Sequence, residues 1–297
     1  MAGSAAGSVL PERMRHADYI EAVAGLPAPA HLRAMMVWLA GQEQLAIVEP
    51  QARAGLHPLL VPLARSDEGT MALLRWPTPP KGLPMPLVLC GEHIRLLSLS
   101  VDQWLHRQLA RRDAAGLSLG GLGRVCEDLY VQGMLEASSL PLTAYVLLKV
   151  GGQPDLYEEL AAAHLDGGDE LAALVTADRA TTAIAGWGQP LVFRMRLLAQ
   201  LGREEAAKEA AKVALLEPVW TFGGPFAPVA EMAGWSQISS APYRRLVDDA
   251  ELPLDRAAHL MDALAVEQGD WDGAREELAG CYRQAGLAEL AAFVSSA

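Results

Sequence analysis

"GDWDGAREELAGCYRQAG", residues Gly269–Gly286, decides how the rest of the chain is read. A Gly-Asp-Trp-Asp turn leads into a helix with a small residue, Ala274, near its start. The same small residue recurs upstream, as Ala206 in "LGREEAAKEAAKVALLEP" (Leu201–Pro218) and Ala172 in "GGDELAALVTADRA" (Gly167–Ala180). The intervals are 34 residues from Ala172 to Ala206 and 68, twice 34, from Ala206 to Ala274. A period of this length marks stacked helix–turn–helix units, each of which covers its apolar face only by stacking on the next.

At these positions the chain resembles the tetratricopeptide repeat family. A small residue on the second helix stands where that family brings two helices close together. Gly269–Asp272 matches its inter-helix turn, and Pro218 falls where its second helix ends. Three departures are visible: "GREEA" makes a turn one residue short, the unit around Ser240 is rich in Gly and Pro, and the first helices lack most of the family's large residues, with Glu159 where a buried leucine is usual. The resemblance spans about residues 140–297 and implies a curved stack gripping a peptide or a partner helix. Carried over by position, the partner-binding lining would be Tyr157, His164, Gln189, Arg196, Arg256 and His259.

Upstream the pattern changes. Leu32, Met35, Met36 and Leu39 make one helical stripe. From Gly55, short apolar runs alternate with turn chemistry, "HPLLVPLA", "TMALLRW", "PLVLC" and "HIRLLSLS". This predicts a small antiparallel sheet of three or four strands over about residues 57–100, with Gly91-Glu92 as a two-residue type II′ turn. Between two of these strands, "PTPPKGLPMP" (Pro77–Pro86) holds five prolines. Proline has no N–H and a fixed φ, so the run reads as a stiff connection inside the sheet rather than a strand. A polyproline docking segment is the alternative. Beyond the sheet, "VDQWLHRQLARRDAAG" predicts a helix whose outer face carries His106, Arg107, Arg111 and Arg112. The expected class is therefore mainly α (α+β). The expected division is an unstructured residues 1–14, an α+β domain over 15–139 and a helical repeat domain over 140–297.

Composition narrows the function. Hydrophobic residues make up 51% of 297, enough for a large core, while aromatics are only 6%. The net charge of -12 is carried by residues 151–297, with 11 Lys+Arg against 23 Asp+Glu; residues 1–150 balance at 13 against 13. An acidic half repels phosphate backbones and anionic lipid, so a protein or peptide partner with a basic surface is expected and nucleic acid is not. No apolar run is long enough to span a bilayer, so no membrane insertion is expected. Three scattered cysteines (Cys90, Cys126, Cys281) are no disulfide framework and point to a reducing compartment: the cytoplasm, or an organellar matrix or stroma if the Ala/Ser/Gly-rich N-terminus is the stub of a processed precursor.

The chemistry-bearing patterns are thin. Cys90 and His93 form a C-x-x-H pair with no second pair at zinc spacing. "HLDGGDE" (His164–Glu170) lacks the ligand alternation of a calcium loop, and Asp169 reads better as a helix cap. Gly120, Gly121 and Gly123 lack the Lys-Ser/Thr ending of a phosphate loop. No catalytic residue, cofactor or metal is expected. The expected function is a non-enzymatic adaptor, assembly factor or structural subunit; an enzyme with its site in the N-terminal half is the alternative.

Overall fold

The apolar runs between Gly55 and Ser100 pair into one sheet as expected, and a fifth strand upstream of that range, Ala46–Ile47, joins its edge. In the computed structural model, which describes residues 9–77, 85–235 and 238–296, strands β1 (Ala46–Ile47), β2 (Leu60–Ser66), β3 (Gly69–Leu74), β4 (Leu87–Cys90) and β5 (Ile94–Ser98) form an antiparallel meander in sequence order. Pro62 interrupts β2 just beyond the last β1 pair, Ile47↔Ala64, and a bulge absorbs the missing donor. Leu73 pairs with Leu87, so the proline segment joins two neighbouring strands. Its residues 78–84, and with them most of the alternative docking motif, lie outside the described residues.

Two details of the turns differ from expectation. The β4–β5 hairpin closes with Cys90 opposite Ile94, leaving the three-residue loop Gly91–His93. Gly91 has no positive φ, so a type II′ turn does not form. Gly69, at φ +141°, ends the β2–β3 turn against the backbone of Cys90. A Cβ there would sit 2.4 Å from the Cys90 carbonyl oxygen, which requires glycine.

Fifteen helices make up most of the rest of the described chain. Helices α1 (Val9–Ala22) and α2 (Leu32–Ala40) precede the sheet, and α1 begins inside the stretch expected to be unstructured. Ser100 caps α3 (Val101–Ala114), accepting the Gln103 N–H at 3.1 Å. The expected basic face of α3 is only partly exposed. Arg107 is buried and pairs with both carboxylate oxygens of Asp155, while His106 bonds the Tyr145 hydroxyl. Short helices α4 (Gly120–Val125), α5 (Met134–Ser138) and α6 (Leu142–Lys149) follow.

From Pro154 the helices come in antiparallel neighbours: α7 (Pro154–Asp166) with α8 (Glu170–Ala183), and α9 (Gly188–Gln200) with α10 (Glu204–Ala214). Asp169 caps α8 as expected, accepting the Ala172 N–H at 2.9 Å. After a 3-10 turn (Val219–Thr221) come α11 (Ala227–Met232), α12 (Ala241–Asp249), α13 (Pro253–Glu267), α14 (Trp271–Gln284) and α15 (Ala288–Ser295). Alanines let these helices approach closely, but the register is shifted from the spacing-based one. Ala206 is exposed and Ala207 buried, and Ala172 is half-buried with Ala173 fully inside. Ala274 alone of the three reference positions is buried as expected.

The largest apolar core is continuous from Ala17 to Val294. It joins α1, α2, the sheet and α3 to α13, α14 and α15, so the two ends of the chain share one interior.

Candidate functional site

Four of the seven tryptophans stand beside chain-breaking residues: Trp76 before Pro77, Trp187 between Gly186 and Gly188, Trp220 before "TFGGP", and Trp271 after Gly269-Asp270. The fold brings all four together. Trp76, Trp187 and Trp220 pack edge-on or tilted with ring centroids 5.6–5.8 Å apart. His57 lies between Trp220 and Trp271, 4.6 Å from each. Aromatic surfaces packed this way are rigid as well as apolar.

His57 is fully buried, and burial with the nearby Arg275 and Arg53 charges lowers its pKa to about 3, so it is neutral. Its Nδ1 accepts the Leu59 N–H at 3.3 Å, which leaves the proton on Nε2, where no hydrogen-bond partner stands. The imidazole serves as an aromatic spacer.

Trp220 and Trp271 form one wall of an open cleft of about 730 Å³. Its other walls are the β4–β5 hairpin tip (Cys90–Ile94), the turn Gly224–Ala227 and the end of α13 (Leu264–Gly269). Residues from both halves of the chain thus face one space. The carboxylates at its edge are Glu92 and Glu267, and no lysine or arginine is among the described lining residues. Glu267 accepts from Ser240 Oγ at 2.5 Å and from Arg244 at 2.6 and 3.1 Å, bonds that hold its carboxyl below the ordinary range. Burial raises the Cys90 thiol above its ordinary pKa, which keeps it protonated and a weak nucleophile.

Buried charged groups fix these walls. Arg275 donates to the carbonyls of Arg53 (2.7 Å) and Leu56 (2.9 Å) and pairs with Asp272, which also accepts the Gly55 N–H. Arg53, fully buried, donates to the carbonyls of Pro58, Leu60 and Phe293, and its guanidinium lies 3.7 Å from the Phe293 ring centre. The loop that carries His57 is thereby stitched to α14 and α15. Asp262, buried in α13, accepts the Val219 N–H at 2.7 Å and so positions Trp220, the next residue.

The residues carried over from the repeat resemblance do not gather here. None lines the cleft. Tyr157 is buried in the core. Gln189 is buried too, its Oε1 accepting the Leu96 N–H at 3.0 Å and tying α9 to β5. Arg196 is exposed, with Glu158 nearby. His164 is half-buried near the end of α7. Arg256 pairs with Glu277 at 3.0 Å, and His259 lines a separate small hollow with Leu246, Leu252 and three carboxylates. Sequence reasoning missed the cleft. The one local signal was the placement of tryptophans at Gly and Pro breaks, which says nothing of their pairing.

Among the described residues no group of three or more His, Cys, Asp or Glu side chains is arranged to hold a metal ion. No described helix is long and apolar enough to cross a membrane.

Comparison with known proteins identifies the family. Models described as PAB N-terminal, PAB middle domain and PAB C-terminal domain match residues 14–149, 154–237 and 248–297. The chain is also similar to Protein IN CHLOROPLAST ATPASE BIOGENESIS, chloroplastic, of Arabidopsis thaliana. The two are 36% identical over 299 residues, covering 94% of this chain and 90% of that protein. No solved structure matches. The chain belongs to the PAB family.

Proposed function

We propose that this PAB-family protein is an assembly factor for a chloroplast ATPase, acting without catalysis by holding a segment of an ATPase subunit in the tryptophan-lined cleft. The name of the Arabidopsis relative suggests the process and the compartment. The cleft supplies the means. Its volume, about 730 Å³, is within the range of pockets that enclose a ligand or a few side chains, and its apolar wall is built from rigid aromatic rings. The observation that carries the reading is this wall's construction. Arg53, Arg275 and Asp262 fix it from behind, so it is formed before a partner arrives, and a preformed surface loses little entropy on binding. The TPR-like reading of residues 140–297 gives these helices a second role, as the scaffold that presents the cleft.

Reconstitution tests this. Isolated ATPase subunits are refolded together with and without the full chain, and assembled complex is measured on native gels. The protein raises the yield without being consumed and without needing a nucleotide. An unchanged yield, or turnover of a small molecule by the purified protein, overturns the reading.

A further inference from the structure

The cleft's lining is one-sided in charge. Glu92 and Glu267 stand on different walls, the first on the hairpin tip and 79% exposed, the second at the end of α13 and 36% exposed. Cys90 and His93 are the other titratable groups on the hairpin tip, His93 Nε2 lying 3.9 Å from Glu92 Oε1, and no lysine or arginine is among the described lining residues. The half-buried ring of Trp271, backed by His57, lines the same cleft as these carboxylates. Such a ring attracts a cation to its face, and a guanidinium stacks there better than an ammonium does. A guanidinium already pairs with one of these carboxylates. Arg244 of α12 already forks onto Glu267 through Nε and Nη2, from outside the cleft.

We propose that the cleft takes a polypeptide segment bearing an arginine or lysine beside an apolar side chain. The cation lies against Trp271 and pairs with Glu92 and Glu267, and the apolar neighbour packs on Trp220. This rests on the reading of the cleft as a client site and names the chemistry of its occupant. Two consequences follow from the charges. Binding weakens as salt rises, because the carboxylates are partly exposed. Arg244 competes for Glu267, so removing it strengthens binding.

The test uses short overlapping peptides covering the ATPase subunits, probed with the full chain and with Gly224→Trp. Gly224 lines the cleft, its φ is not positive, and a Cβ there meets nothing within 4 Å, so a large side chain fills the cleft and spares the core. Expected is capture that Gly224→Trp abolishes, concentrated on peptides with arginine or lysine next to an apolar residue. In solution, replacing that arginine by citrulline, which keeps the shape and drops the charge, weakens binding about tenfold or more, and Arg244→Ala tightens it. Capture sensitive to Gly224→Trp but indifferent to charge overturns this inference and leaves the client site standing. Capture indifferent to Gly224→Trp, or none, overturns both.

Discussion

Asp262 shows how one residue ties stability to the site. Its carboxylate is buried and accepts a single backbone N–H, from Val219. Burial outweighs that bond and raises its pKa to about 7 from the ordinary 3.8. The folded protein therefore holds this proton more tightly than the unfolded chain does. The stability that follows is complete below about pH 4 and is lost as pH rises through about 7. Asp262→Asn keeps an oxygen for Val219 and removes the titration. Its stability relative to the parent should rise between pH 5 and pH 8 by about 1–3 kcal/mol, read from denaturant melts at each pH. A constant difference would mean that Asp262 is ionised and solvated. Arg53 is the complementary case: a buried cation whose partners are mainly carbonyls. Arg53→Met leaves those oxygens without donors and should cost about 3–5 kcal/mol by the same melts. Nothing in "QARAGLHP" (Gln51–Pro58) marks this arginine as internal, because its acceptors come from residues as distant as Phe293.

At the scale of the element, the helical repeat tests its own register. Ala207 is fully buried on α10, whereas Ala206 is exposed. Ala207→Leu should overpack the α9–α10 contact and cost about 1–3 kcal/mol, while Ala206→Leu should stay within about 0.5 kcal/mol. Thermal melts of the two variants separate the registers. The helices themselves were legible because 3.6-residue spacing and Asp169 as a cap are local facts. The one-residue shift was not, since small residues flank each other in "EEAAKEAAK" and spacing alone cannot say which alanine faces inward. The sheet was legible from short apolar runs between turn residues. The hairpin tip was misread because Gly91 suits several turns, and the choice is set by the close approach of the Glu68 carbonyl, 2.6 Å from where a Cβ would stand. The basic face of α3 failed for a similar reason: the partner of Arg107, Asp155, lies 48 residues away.

For the whole molecule, the shared interior makes the ends of the chain interdependent. Tyr19 of α1 packs edge-on against Phe293 of α15, and Arg53 bridges the same pair. Deleting α15 should expose that core and leave the N-terminal sheet without its cover. The truncated chain is expected to lose cooperative unfolding by calorimetry; a single sharp transition near the parent's midpoint would show that the sheet stands alone. Charge and repeat pointed to a partner site among the acidic helices. The cleft proposed as the client site lies where those helices meet the sheet, a junction that requires contacts across more than 100 residues of sequence. Hydrogen–deuterium exchange on the full chain, with and without an isolated chloroplast ATPase subunit, tests this most directly. Protection is predicted at the hairpin tip Cys90–Ile94, across Val219–Ala227 and over Leu264–Trp271. Protection confined to α7–α10, with the cleft exchanging as in the free protein, would contradict it.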